Sequence, residues 1–468
     1  MSINVGLRSE RGPILLALMV SSGLIAIDAT ILATAVPTIV EEVGGFSQFP
    51  WLFSIYLLAQ AVSVPIYAKL SDIIGRKPII LVGIGLFLLG SILCGLAWSM
   101  PALIAFRAVQ GLGAGAIQPM SMTIAGDIYT LAERAKTQGY LASVWAISSV
   151  VGPSLGGIFS ALDAWRWIFF INIPLGALAA FLIVRNFHEK IEKRAHTVDY
   201  AGAVVLTLSL SLLILAVLEG GQAWAWNSWQ SVGAFGLGAV LLVVFVLIER
   251  RAAEPILPLW VFSRRLLLTT SLIAFGAGGL LIGLTSYVPT YLEGTLDTSP
   301  LLAGLALAAL TLGWPLAASV SGRWYLRFGF RNTIIVGVFI AILGTLVIAT
   351  LAWTPSVIVV AIACFVVGLG LGTAVTPAVI VAQSSVPWNE RGVVTGTNTF
   401  ARAVGSAVGV AIFGAVANGV LAGRTSPAAI TAASAAVFAA VVIAAVATFV
   451  AALTMPKTPV EQAAEPGQ

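Results

Sequence analysis

Long uninterrupted apolar runs, rather than strict alternation, set the pattern of this chain. Runs of about 20 residues lie at 14–36, 51–68, 79–98, 102–126, 138–160 and 168–185. A charge-rich connection at 186–198 leads to two more runs at 200–218 and 231–248, and a segment from Arg250 to Arg265 then interrupts with prolines and arginines. Six further runs follow at 266–291, 300–321, 333–352, 356–381, 393–419 and 428–453, and the polar tail from Pro456 is expected to be disordered. About 20 residues at a helical rise of 1.5 Å match the roughly 30 Å hydrocarbon core of a bilayer. In hydrocarbon the backbone must bond to itself, so runs without alternation predict helices. The expectation is an all-α integral membrane protein with 14 transmembrane helices. The first run continues past the length of a cleavable signal to Pro37, so that helix is expected to stay.

Composition agrees. Of 468 residues, 59% are hydrophobic and only 9% charged, against roughly 25% charged in a soluble domain. Mean hydropathy is +1.02. The net charge of +5 has a membrane explanation, because cytoplasmic loops retain Lys and Arg. With the N-terminus cytoplasmic, 20 of the 24 basic residues fall on that side, Arg166 and Arg424 fall outside, and Arg107 and Arg402 lie within runs. This split predicts both termini in the cytoplasm of a multi-pass protein and removes the case for a nucleic-acid partner. Trp51, Trp98, Trp165, Trp224, Trp226, Trp229 and Trp353 fall near the outer ends, where they read as interfacial anchors. Cys94 and Cys364 sit in apolar runs, and His188 and His196 flank the basic stretch Lys190 to Arg194, so neither a disulfide framework nor a metal site is expected. A Gly-x-x-x-x-Gly-Lys loop is absent, which leaves an ion gradient as the energy source and calls for no cofactor.

The chain also resembles itself. Gly111-Leu-Gly-Ala-Gly115 with Pro119 in the fourth run matches Gly368-Leu-Gly-Leu-Gly372 with Pro377 in the twelfth. The loop Ala68 to Lys77 after the second run has a weaker partner, Gly322 to Arg331, after the tenth. Such spacing predicts two parallel six-helix bundles around a central pathway, at 1–186 and 266–455. Residues 187–265 then carry an inserted pair of helices, and 456–468 the tail.

In the loop after the second run, Lys69, Asp72, Gly75, Arg76 and Lys77 resemble the cytoplasmic loop signature of the major facilitator superfamily. Almost the whole chain is similar to its fourteen-spanner drug/proton antiporter branch. Ala68 stands where that family usually has Gly, and Leu326 replaces the acid in the C-terminal copy. Val151 to Gly157, with Gly152, Pro153, Gly156 and Gly157, is similar to the superfamily's antiporter motif in the fifth span, and these residues are expected to bend the helix and admit a close neighbour. Ile27 to Pro37 resembles the branch's first-helix motif, with Ala33 where Asn is usual. Trp165 to Pro174, and Asn398 to Arg402 with Gly405 and Gly409, also fit the branch.

Asp28 is the one acid placed near the middle of a run. A buried carboxylate favours its neutral form, so Asp28 reads as a proton site, as the counter-ion of a cationic substrate, or as a structural hydrogen-bonding group. Arg107 opens the fourth-span motif, whose arginine the resemblance implicates in proton coupling; it faces a polar cavity or a partner, or it snorkels outward. Asp72 and Arg76, with Asp127, could pair at the cytoplasmic helix ends and hold that side closed. Gln60, Gln118, Gln383 and Arg402 are candidates to line a cavity. The resemblance implies a proton-coupled antiporter exporting amphipathic or lipophilic small molecules across the plasma membrane, a multidrug-efflux role. Relatives' extra acids in the tenth and thirteenth spans are missing here, which favours neutral or singly charged cargo. An exporter of an endogenous lipid or metabolite fits the residues equally well. An intramembrane enzyme would need a cluster of catalytic side chains, and the oligomeric state is open.

Overall fold

The computed structural model describes residues 5–44, 51–189, 199–220, 224–252, 255, 259–421 and 426–457. Every predicted run is a helix. These are α1 (Gly12–Val43), α2 (Trp51–Ile74), α3 (Arg76–Gly95), α4 (Met100–Ile128), α5 (Leu131–Ala161), α6 (Trp167–Asn186, with one irregular turn at Ile171), α7 (Tyr200–Glu219) and α8 (Trp229–Glu249). They continue as α9 (Arg265–Leu296), α10 (Pro300–Phe328), α11 (Phe330–Thr350), α12 (Val357–Ser384), α13 (Arg391–Leu421) and α14 (Pro427–Leu453). Among the described residues 13 helices are long and apolar enough to cross a membrane, and the apolar part of α7, Ala201–Ala216, is shorter. Lys190 to Arg194, His196, Arg424 and the tail from 458 lie outside the described residues.

Several helices outrun their apolar cores. α5 begins at Leu131 rather than 138, and α10 extends to Phe328 rather than 321. A hydropathy window stops at the first charges, whereas backbone hydrogen bonding continues through them. At 1.5 Å per residue, the 31 residues of α5 span about 46 Å, longer than the hydrocarbon core. α1 likewise stays helical past Pro37 to Val43, because proline is tolerated where neighbouring helices re-satisfy the backbone. A further departure is Trp165, which is fully buried and donates to Glu42 at 2.6 Å instead of anchoring at an interface. Trp98, Trp229 and Trp353 are exposed, as expected of anchors. Arg166 also pairs with Glu42, and the hydrogen bonds from Arg166 and Trp165 hold the Glu42 carboxyl below its ordinary value. That joins the ends of α1 and α6.

The packing repeats. In the first six helices α1 packs on α5 and α6, and α4 on α2 and α3; in the last six α9 packs on α13 and α14, and α12 on α10 and α11. Each set closes on its own buried apolar core, around Phe87 and Ile117 in one and Tyr291 and Phe438 in the other. The sets meet through α2 against α13 and α5 against α10, so the second helix of each packs on the fifth of the other. α7 and α8 pair with each other, and α7 rests on α2 and α13. Backbone geometry echoes the repeat at Gly75 (φ 98°) and Gly329 (φ 81°), which hold matching places after α2 and α10 in a conformation that favours glycine.

Candidate functional site

The first feature is a polar cluster buried inside the first six helices. Asp28 of α1 accepts from Arg107 of α4 at 2.6 Å and from Gln110 of α4 at 2.8 Å. Asn172 of α6 donates to it at 3.3 Å. Gln110 and Asn172 both donate to Ser91 of α3, and Arg107 also reaches the Leu52 carbonyl and lies 4.2 Å over the Tyr56 ring. Asp28 and Arg107 are each only 1% exposed. Of the readings open for Arg107, the structure shows a carboxylate partner, rather than a cavity wall or snorkelling. With Leu52 and Tyr56 on α2, the cluster ties five helices together. Gln110 could have been inferred, since a residue three beyond Arg107 shares its helix face; Ser91 and Asn172 carry no such signal.

The second feature is a lock where the α2–α3 loop meets the start of α13, called here the basic end. Arg76 pairs with Asp72 at 2.8 Å and with Asp127 at 3.1 Å, while Arg391 from the other half reaches Asp127 at 3.0 Å. Asp72 accepts from the backbone N–H groups of Gly392 and Val393, an anion seated at the N-terminus of α13. Arg76 donates to the Trp388 carbonyl and stacks 3.8 Å from that ring's centre. Asp72, Arg76 and Asp127 were named from sequence; Arg391 and Trp388 were not, because they lie at a span boundary where charge reads as topology. Lys77 instead tethers the end of α6, donating to the Val184 and Phe187 carbonyls. Lys69 lies on α2, one turn before the lock. The C-terminal copy is lighter, as Leu326 in place of the acid implies: its cross-half ties are Tyr325 to the Leu131 carbonyl and Arg134 to Ser384. Gln383 belongs here and not to a cavity wall, for it is buried and donates to the Met122 carbonyl and to Thr395.

The third feature is a cavity of about 300 Å³ between the halves. Its walls include Gln118, Gln138, Trp145, Trp314, Thr376 and Arg402. Gln118 and Arg402 were anticipated. Gln60 is not among its walls, and neither is Asp28. The described cross-half hydrogen bonds and ion pairs gather at the basic end, apart from Ser149 with Thr311 beside the cavity.

The glycine motif of α5 divides by environment. At Gly152 a Cβ would run into the Thr30 side chain and come within 3.1 Å of the Ile31 nitrogen, and Thr30 itself donates to the Ser148 carbonyl. This is a true close approach of α1 and α5. Gly156 is buried, Gly157 meets nothing within 4 Å, and the α5 backbone is one continuous helix through Pro153. Gly152→Ala is therefore expected to destabilise by about 1–3 kcal/mol through overpacking, whereas Gly157→Ala stays within about 0.5 kcal/mol. Thermal unfolding of the two variants in lipid nanodiscs checks this, and equal melting shifts would refute it.

Two parallel helical halves with a cavity between them and a polar lock at one end define a polytopic membrane carrier. The chain matches the family described as Major Facilitator Superfamily over residues 18–410, and it belongs to that family. It is thus a transporter, not an enzyme. It is 35% identical over 392 residues to multidrug resistance protein 3 of Bacillus subtilis, covering 84% of this chain and 77% of that protein. It is 34% identical to the multidrug transporter protein MdtP of the same organism, covering 86% and 74%. Among solved structures, the human organic anion transporter MFSD10 aligns with a TM-score of 0.67 at 18% identity, covering 95% and 99%, a likeness of fold alone.

Proposed function

We propose that this protein is a proton-coupled antiporter that expels amphipathic small molecules from the cytoplasm by alternating access, with the basic end and both termini facing the cytoplasm of a plasma membrane. The observation that carries this reading is the apolar cavity between the halves, shut at the basic end by the lock. A site reachable from one side at a time is what alternating access requires. The similarity to proteins named for multidrug resistance supports an efflux role. The halves at 1–186 and 266–455 rock as units in this mechanism, with 187–265 following as the insertion and α7 riding on α2 and α13.

In the proposed cycle Asp28 takes up a proton while the lock is closed. A neutral Asp28 no longer balances the Arg107 guanidinium, and the five helices that the cluster joins must readjust. That readjustment shifts the closed and open arrangements of the basic end relative to one another. Proteoliposomes loaded with a neutral fluorescent amphipath, N-phenyl-naphthylamine, test the coupling. Efflux is expected to follow an imposed pH gradient and to stop on addition of a protonophore. Efflux that ignores the gradient would sink proton coupling while leaving transport intact.

A further inference from the structure

Arg402 lies 11 residues beyond Arg391, the first residue of α13, which places it about 16 Å along the helix, near the middle of the membrane. A guanidinium there is costly unless something compensates it. Among the described residues, the buried ion-paired arginines Arg76, Arg107 and Arg391 each have a carboxylate within 3.1 Å. Among the described residues no hydrogen bond or ion pair reaches the Arg402 side chain, and it opens on the cavity.

The other lining residues of the cavity are neutral, so its only formal charge comes from Arg402. Among the described residues its walls hold no Asp or Glu, and Asp28 is sealed within its own bundle against Arg107. Gln118, Gln138 and Thr376 offer neutral polar groups around Arg402, and the indoles of Trp145 and Trp314 offer flat apolar surface. The Gln118 carbonyl oxygen has no partner, so its amide is not committed to a neighbouring side chain through that atom.

On the reading that this cavity carries the exported molecule, we propose that Arg402 is its charge-selecting residue and that the preferred substrates are singly anionic amphipaths, an aromatic or aliphatic body carrying one sulfonate, carboxylate or phosphate-like group. An anion gains a charge-assisted, forked pair with the guanidinium in a water-poor site. A cation of the same shape meets an uncompensated positive charge there.

Three probes of one shape separate the contributions: naphthalenesulfonate, naphthylmethanol and (naphthylmethyl)trimethylammonium, titrated calorimetrically into the intact protein in nanodiscs. The sulfonate is expected to bind about 30-fold tighter than the ammonium probe, equivalent to about 2 kcal/mol. Arg402→Gln, if monodisperse, should bring the two within about threefold while leaving the neutral alcohol unchanged, since about 1.4 kcal/mol corresponds to each tenfold. Arg402→Lys keeps the charge without the fork and should retain the anion preference in weaker form. A merely structural arginine would alter all three probes together. Equal or tighter binding of the ammonium probe by the intact protein, or an anion preference that survives Arg402→Gln, overturns the assignment. If gradient-driven efflux of the neutral amphipath persists in that case, the efflux reading stands and only the charge selection falls. Failure of all the probes to bind, with no efflux, sinks both.

Discussion

Asp28→Asn and Arg107→Gln are each expected to abolish gradient-driven efflux and to lower the melting temperature markedly, whereas the double variant recovers the stability and stays inactive. Removing one member of a buried ion pair leaves the other charge without compensation, which costs about 3–5 kcal/mol. Here the orphaned group keeps its secondary partners: Arg107 still reaches the Leu52 carbonyl and the Tyr56 face, and Asp28 still accepts from Gln110 and Asn172. The single variants should therefore fall near the lower end of that range. Neutralising both charges removes the unpaired state, and two amides of similar volume can still hydrogen-bond with Gln110 and Ser91. Stability thus reports the pair, and transport reports the proton. Efflux of N-phenyl-naphthylamine at matched protein density and thermal unfolding in nanodiscs are the two readouts. Recovery of gradient-driven efflux in the double variant would show that the cluster is a structural clasp and that the coupling proton binds elsewhere.

The cluster and the cavity are separate sites, and that separation has a mechanistic meaning. A carboxylate that touched both proton and substrate could couple them by direct competition. Asp28 is 1% exposed and lies outside the cavity walls, so competition at one group is not available to it. In the proposed cycle, coupling passes through helix positions instead. α1 and α4, which carry Asp28 and Arg107, also supply Ser22, Gln118 and Met122 to the cavity. α4 further ends in Asp127 at the lock. One rigid helix thus presents the ion-pair arginine, a cavity amide and a lock carboxylate in order along its length.

Much of this was legible in the chain because it depends on one-dimensional signals. Span count follows from apolar run length, the repeat from two glycine strings, and the lock from Asp72 and Arg76 at a helix end. Contacts between distant residues were not legible. Asp28 and Arg107 were both recognised as costly at their depth, yet nothing in their spacing says that α1 and α4 bring them to 2.6 Å. Arg391 was counted as one more loop charge because a boundary residue can equally face water or a neighbouring carboxylate. Gln60 and Gln383 share their amide with Gln118, but only helix packing decides which amide reaches the cavity. Trp165 was misread for the same reason: a tryptophan near a span end suits an interface, and Glu42 at the end of another helix offered a hydrogen-bond acceptor instead.

Neutralising the lock should open the basic end. Asp127 is shared by Arg76 of its own half and Arg391 of the other, and Asp72 accepts from backbone N–H groups in the first turn of α13, so these two carboxylates supply the anionic side of the cross-half grip. In Asp72→Asn/Asp127→Asn the buried Arg76 loses both counter-charges. Its least costly escape is hydration, which requires the halves to part at that end. The cavity residue Met122 lies directly above the lock, with its carbonyl bonded to Gln383 across the halves. A cysteine placed there is shielded when the lock is shut, and the native Cys94 and Cys364 are buried and give little background. Loss of about 2 kcal/mol of closure would raise the open population roughly 30-fold, as long as that state remains the minor one. The expected result is a comparable rise in the rate at which a membrane-impermeant maleimide, added from the basic side, alkylates Met122→Cys in the double-Asn background. Arg391→Gln, which removes only the cross-half member, should give a smaller rise in the same direction. An unchanged rate in both backgrounds would mean that apolar packing of α2 on α13 and α5 on α10 closes this end by itself, and that the charges serve to orient the loops.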